Sequence, residues 1–181
     1  DVYRVGERIK VYILSVEKTN KFPKILISRK NEGLLKKLFE IEIPEITSGI
    51  IEIKSVAREA GSRAKVAVYS AVPNIDTVGA CIGQRGARIK NIVDELNGER
   101  IDIVEWKPVV EEFVSAVLSP AVVSNVTILE DGTARVLVEP SQLSLAIGKN
   151  GQNARLAARL TGMRVDIKVI DNETLKEEEN E

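Results

Sequence analysis

The chain has 181 residues, of which 44% are hydrophobic and 29% charged, with one cysteine and no histidine. This is an ordinary globular composition, long enough for one domain or several small ones. Without histidine the chain lacks the commonest general base and the commonest metal ligand, so we expect no catalytic site, no metal and no cofactor. The lone cysteine favours a reducing cytoplasm. No apolar run approaches the roughly 20 residues that span a bilayer, so we expect no membrane partner.

The net charge of −1 is unevenly distributed along the chain. Residues 171–181 hold six acidic residues and one lysine, a net charge of −5, which leaves 25 basic against 21 acidic residues elsewhere. The sequence therefore predicts a mildly basic body and an acidic, disordered tail. Aromatic residues make up only 4% of the chain, which disfavours a platform for base stacking.

The first predicted elements form a β-hairpin. Residues 5–16 alternate apolar and polar side chains, residues 20–23 break the pattern, and residues 24–28 read as a second strand. An isolated hairpin is marginal in water, so the chain is expected to begin within a larger β domain. Apolar residues at helical spacing over 34–39 then predict a helix that ends at or just before Pro44.

A second hairpin and two helices come next. Residues 50–57 and 64–69 are rich in β-formers on either side of a turn, and residues 73–76 offer a cap for a short helix ending at Ile82. A further helix follows Gly86, because its apolar residues lie at spacings of three and four. Residues 100–104 predict the closing strand.

The same order of elements then recurs. Pro108 is predicted to open a helix that stops at Ser119-Pro120. Strands are predicted over residues 122–129 and 133–138, followed by a short helix ending at Ile147, a helix after Gly151 and a strand over 165–169. In that last helix, Leu156, Ala157 and Leu160 are expected to face inward, and Arg155 and Arg159 outward.

This recurrence is an internal repeat of two domains. The shift from Gly83 to Gly148 is 148 − 83 = 65 residues, and the closing strands match at a shift of 64. Only the residues around 104–108 join the two copies, too few for a flexible tether. We therefore expect the pair to pack as one rigid body.

Each copy carries a GxxG loop between its two short helices: Gly83-Gln84-Arg85-Gly86 and Gly148-Lys149-Asn150-Gly151. Glycine allows left-handed backbone angles and close approach of another backbone. A helix that begins after the loop directs unpaired N–H groups and its positive dipole end towards a ligand above it, an arrangement that suits phosphate. One such loop could equally be a helix–turn–helix corner without a ligand. Two copies, each with a cation, favour a binding site.

The repeat resembles the KH domain, whose GxxG loop holds the backbone of about four nucleotides. Because two strands precede each loop and one follows, the likeness is to the bacterial type II order. Residues 55–61, 78–83 and 100–106 extend it to the NusA family of bacterial transcription factors. The resemblance implies an α+β fold of two tandem type II KH domains, each a three-stranded mixed sheet packed with helices, after a partial OB-fold (S1) β-barrel. The expected bounds are 1–30 for the barrel, 31–106 and 107–170 for the KH domains, and 171–181 for the tail.

The resemblance also implies a function, which is binding rather than catalysis. The expected ligand is single-stranded, nascent RNA, and the expected outcome is modulation of pausing, termination and antitermination. RNA polymerase would be contacted mainly through an amino-terminal domain that this sequence lacks, other Nus-type factors are possible partners, and the chain is expected to be a monomer. The alternative is a KH pair used mainly for protein interaction in the transcription complex or ribosome. An enzyme acting on nucleic acid is disfavoured, since no carboxylate cluster or Walker-type loop accompanies the missing histidines.

The predicted RNA-binding residues are the two loops and the residues beside them. Cys81 is instead expected to be a small core residue, and Trp106 an anchor that packs between the domains. The predicted site consists of Ile82, Gly83, Gln84, Arg85, Gly86, Ala87 and Arg88 in the first copy, and Ile147, Gly148, Lys149, Asn150, Gly151, Gln152, Asn153 and Arg155 in the second.

Overall fold

The computed structural model describes residues 3–170, and the chain divides into two compact units, residues 1–103 and 104–181. Both units combine helices with a three-stranded sheet, so the predicted α+β class is confirmed. Among the helices of residues 3–170, none has both the length and the hydrophobicity of a membrane span. The predicted acidic tail lies outside the described residues.

The first unit begins with the antiparallel pair β1 (Tyr12–Glu17) and β2 (Lys24–Ser28). The prediction of a strand over residues 5–16 was wrong for its first half. Tyr12 lies opposite Ser28, the last residue of β2, so residues 3–11 pair with no strand of the described chain. The Lys10 backbone is held instead by a side chain, because Arg29 Nη1 donates to its carbonyl at 2.7 Å. Whether this hairpin is part of an S1 barrel stays a prediction.

The first KH unit follows the hairpin. Asn31 caps α1 (Glu32–Glu42) by accepting from the Gly33 N–H, and Pro44 occupies the first turn of α2 (Pro44–Thr47), where its missing N–H leaves no acceptor unsatisfied. The sheet has the order β3 (Glu52–Glu59), β4 (Arg63–Tyr69) and β5 (Arg100–Glu105), with β3 and β4 antiparallel. Between β4 and β5 lie α3 (Thr77–Ile82) and α4 (Ala87–Glu95).

The core of this unit joins one face of each helix to the sheet. Its largest fully buried side chains include Leu35, Leu38, Phe39 and Ile92. Cys81 is also fully buried, as predicted, and its burial raises the pKa of the thiol to about 12.

The second unit repeats this order. It contains α5 (Val110–Val117), β6 (Asn125–Ile128), β7 (Ala134–Val138), α6 (Leu143–Ile147), α7 (Gln152–Thr161) and β8 (Val165–Val169). The strands β6 and β7 are antiparallel and β7 and β8 parallel, so the sheet is mixed as predicted.

Two predicted bounds in this unit were too wide. The strand predicted over 122–129 is β6 alone, because only residues 125–128 pair with β7. The helix expected at Pro108 begins at Val110, and Trp106 packs against Phe113 of that helix with ring centroids 6.3 Å apart.

Candidate nucleic-acid interface

The two GxxG loops have nearly the same backbone. The φ and ψ angles are 76° and 172° at Gly83 and 76° and 171° at Gly148. Two residues later, Arg85 has 53° and 27° and Asn150 has 54° and 30°, both left-handed. The last glycines are left-handed as well. The predicted repeat therefore extends to the individual angles of the loop.

The two glycines of each loop are required for different reasons. A Cβ atom added to Gly83 would lie 2.7 Å from Arg88 Cγ, and one added to Gly148 would lie 2.8 Å from the backbone nitrogen of Asn153. The first glycine therefore allows a close approach to the helix that follows. A Cβ atom on Gly86 would meet nothing within 4 Å, so the last glycine is needed for its positive φ.

The middle of each loop presents backbone donors. The Gly86 N–H is bonded to the Gly83 carbonyl at 3.0 Å, and the Gly151 N–H to the Gly148 carbonyl at 3.1 Å. Among residues 3–170, by contrast, the N–H groups of the two middle residues of each loop have no acceptor. Two adjacent N–H groups in a turn that includes left-handed residues form a concave anion-binding site. Each loop can therefore receive a phosphate oxygen.

A cation and an apolar side chain stand beside these donors. The side chains of Arg85 and Lys149 are exposed, at the third position of the first loop and the second position of the other. Ile82 and Ile147, directly before the loops, are each 38% exposed although they end helices whose preceding residues are fully buried. An exposed isoleucine next to a phosphate site can contact the base or sugar of the same nucleotide. Among the other predicted residues, Ala87 is exposed and Gln152 is half-buried.

Two of the predicted contact residues are turned towards the protein. Asn153 is fully buried, and its Nδ2 donates to the carbonyl oxygens of Leu118 and Ala146, each at 3.0 Å. Arg88 is partly buried, and its Nη1 donates to Glu45 Oε2 at 2.8 Å and to the Ala80 carbonyl at 2.6 Å. The Asn153 side chain has no exposed surface to offer a ligand. These partners could not be predicted from the sequence, since Glu45 and Leu118 lie 43 and 35 residues away.

Arg155 remains on the loop side of its helix. It is exposed, as predicted, and its Nη1 donates to the Asn150 carbonyl at 3.1 Å. The guanidinium group is thus held beside the loop, within the first turns of α7, where a phosphate over the loop would meet it. The residue at the same position of the first unit is Lys90, which forms an ion pair with Asp94.

The sequence matches the description of a NusA-like first KH domain over residues 29–106 and that of a NusA-like second KH domain over residues 110–175. A solved structure, the crystal structure of APE1850, aligns with a TM-score of 0.55 and 22% identity, over 73% of this chain and 94% of that one. At that identity the likeness concerns the fold alone.

Several bacterial proteins are much closer in sequence. The transcription termination/antitermination proteins NusA of Halalkalibacterium halodurans and Bacillus subtilis are each 56% identical over 92% of this chain, which is 44% and 45% of their own lengths. The protein of the same name from Thermus thermophilus is 47% identical over 97% of this chain and 46% of its own. The chain spans about half the length of the curated relatives it matches.

Proposed function

This chain belongs to the NusA family of transcription termination/antitermination proteins, and on that premise we propose that its two KH units bind single-stranded RNA through their GxxG loops. One observation carries the proposal. Both loops combine the same left-handed backbone, two N–H groups without an acceptor in the described chain, and an exposed cation. A helix corner with only a structural role does not require unpaired N–H groups and a cationic side chain at the two middle positions of the loop in both copies.

In the proposed mode, the phosphates of the RNA meet the loop N–H groups and the positive end of the following helix. Arg85 and Lys149 add charge-assisted contacts, which are stronger than neutral hydrogen bonds. The bases lie against Ile82 and Ile147, where their edges are read by hydrogen bonds with little aromatic stacking. The ligand is single-stranded because a base paired in a duplex does not reach this surface.

The proposed ligand in the cell is the nascent transcript as it leaves RNA polymerase. Holding that RNA would modulate pausing, termination and antitermination. Contact with the polymerase itself is proposed to use mainly an amino-terminal domain of the family that is outside this sequence. Other Nus-type factors are proposed as further partners. The proposed function of this part is binding by a monomer, without catalysis.

The test is the fluorescence anisotropy of a labelled single-stranded RNA titrated with the purified chain, alongside a duplex of the same sequence. We expect the single strand to bind more tightly, and the logarithm of its affinity to fall with the logarithm of salt concentration at about −0.7 per phosphate contact. Intact RNA after prolonged incubation with divalent metal ions separates a binding protein from a nuclease.

Two results would contradict the proposal. Equal affinity for the duplex, or an affinity that does not change with salt, would mean that the loops do not recognise a flexible phosphate chain. No RNA binding by the folded protein would favour the alternative, in which the KH pair serves protein interaction.

A further inference from the structure

The fifth residue after the first glycine of each loop occupies the same place in both units. That residue is Arg88 in the first unit and Asn153 in the second, the second residue of α4 and of α7 respectively. Both side chains lie under the loop, because a Cβ atom on Gly83 or Gly148 would be within 3.0 Å of them. The two side chains differ in size, charge and shape, yet each is fixed by two hydrogen bonds.

The Asn153 amide joins three helices of the second unit. One Nδ2 hydrogen bond goes to Ala146, in the last turn of α6 before the loop, and the other to Leu118, at the end of α5. The side chain itself belongs to the first turn of α7. Carbonyl groups at the end of a helix receive no N–H from within the helix, and Asn153 supplies a donor to two of them, although the Leu118 carbonyl also accepts from the Ala121 N–H at 3.1 Å. Its Oδ1 atom is buried and has no partner among residues 3–170.

The Arg88 guanidinium makes the same connection in the first unit with other chemistry. It donates to the Ala80 carbonyl in the last turn of α3 and to the Glu45 carboxylate on α2. In both units, therefore, the helix after the loop is tied to the helix before it and to a helix that precedes the sheet. The partner residues do not align in the repeat, yet in both units this position ties the helix after the loop to the helix before it, which indicates a requirement for the connection itself.

We propose that Arg88 and Asn153 are positioning residues, which set the angle between the two helices that flank each GxxG loop and so keep the loop N–H groups directed at one phosphate. This inference rests on the proposed RNA binding and reassigns two residues expected to touch the RNA. When the connection is lost, the loop samples other arrangements, and the apparent affinity falls in proportion to the fraction of molecules that remain competent.

The second unit is tested in a chain whose first loop has been inactivated by Gln84→Asp and Arg85→Asp, so that binding of a short single-stranded RNA reports on the second loop. Adding Asn153→Ala removes two hydrogen bonds and is expected to weaken binding about tenfold. Amide hydrogen exchange at Gly148 and Gly151, whose N–H groups are hydrogen-bonded to Ser144 and Gly148, should become faster in the absence of RNA. The matched control is Val136→Ala, a fully buried change in β7 that lowers the melting temperature and leaves RNA affinity unchanged.

The first unit is tested with Glu45→Ala, Arg88→Ala and the double variant, in a chain carrying Lys149→Asp and Asn150→Asp. If Arg88 touched the RNA directly, removing the nearby carboxylate of Glu45 would leave affinity the same or raise it. A positioning role predicts the opposite sign, because Glu45→Ala breaks the connection: affinity falls, and the double variant is no weaker than Arg88→Ala alone.

The two proposals fail separately. Unchanged binding in Asn153→Ala, or higher affinity in Glu45→Ala, overturns the positioning role while RNA binding by the loops stands. If the chain with both loops changed to aspartates still binds RNA as tightly as the unmodified chain, RNA binding by the loops is itself wrong.

Discussion

The two GxxG loops share a backbone and differ in the charges around it. From Gly83 to Leu96 the first unit has Arg85, Arg88 and Lys90 but also Asp94 and Glu95, a net charge of +1. The corresponding 14 residues of the second unit, from Gly148 to Thr161, have Lys149, Arg155 and Arg159 and no acidic residue, a net charge of +3. Both loops offer the same backbone donors, but the local net charge is more positive in the second.

Ion pairs increase this difference. In the first unit Arg88 is paired with Glu45, and Lys90 with Asp94 on the surface of α4. In the second unit Asn153 is neutral at the position of Arg88, and Arg155 donates to the loop carbonyl of Asn150. Loop geometry and loop charge are therefore set independently. We expect the second loop to supply more of the RNA affinity, and the following experiments test that expectation.

The largest effect should come from placing two aspartates in each loop. Lys149→Asp with Asn150→Asp, and Gln84→Asp with Arg85→Asp, each make one charge reversal and turn one neutral residue acidic. Opposing charge replaces charge-assisted contacts worth about 1.5–3 kcal/mol each, so we expect about a hundredfold loss of RNA affinity at the second loop and about tenfold at the first. Anisotropy titrations with a long and a short RNA measure both losses.

These changes should leave the fold intact, since exposed substitutions cost within about 0.5 kcal/mol and the glycines remain. Melting curves provide that control. A long RNA that engages both loops should lose more than a short RNA that occupies only the unchanged loop, because linked sites raise each other's effective concentration. An equal loss of RNA affinity in the two double variants would contradict the expectation that the second loop supplies more of the affinity.

A smaller effect is expected from the equivalent pair Lys90→Ala and Arg155→Ala. Arg155 lies beside the loop carbonyl of Asn150, so its loss should weaken RNA binding about fivefold, the size of one phosphate contact. Lys90 is neutralised by an exposed ion pair with Asp94, and such pairs contribute little. We expect its removal to change affinity by less than about twofold. RNA titrations of the two variants at the same salt concentration check this. A larger loss of affinity in Lys90→Ala than in Arg155→Ala would contradict the expected order.

Exchanging the loop sequence should affect stability more than binding. Gln84→Lys with Arg85→Asn gives the first loop the sequence of the second without changing its net charge. Arg85 is left-handed, with φ of 53°, where asparagine is favoured over arginine. The free energy of unfolding should therefore rise by up to about 1 kcal/mol. RNA affinity at this loop should stay below that of the second, because the carboxylates around it are unchanged. Denaturant unfolding and RNA titration of the one variant test both statements.

The smallest effect should follow Cys81→Ala. Cys81 and Ala146 are equivalent positions, each fully buried and two residues before the first glycine. Because the second unit forms the same loop with alanine, we expect a stability cost of about 1 kcal/mol or less and no change in RNA binding. Chemical denaturation gives the cost. A loss of RNA affinity without a loss of stability would show that the thiol has a role the second loop lacks.

Most of the candidate site could be predicted from the sequence because its features are local. The GxxG pattern requires positive φ at the glycines, and apolar spacing placed the helices on either side, so the loops and their cations are where the sequence predicted them. The hairpin was less predictable. The alternation of apolar and polar side chains over residues 5–16 is a local property, whereas a strand also needs a partner strand. Here the partner, β2, ends opposite Tyr12.

The α+β repeat, the two loops and their flanking helices follow from local sequence, since left-handed glycines and amphipathic spacing depend only on neighbouring residues. The role of the fifth residue after each first glycine depends instead on long-range packing. From their positions in the sequence, five residues after the first glycine, Arg88 and Asn153 could equally face solvent. Their partners, Glu45 and Leu118, come from helices 43 and 35 residues earlier, which packing brings within hydrogen-bond distance. A hydrogen bond between distant segments produces no periodic pattern in the sequence. The orientation of these two side chains is therefore visible only in the folded structure.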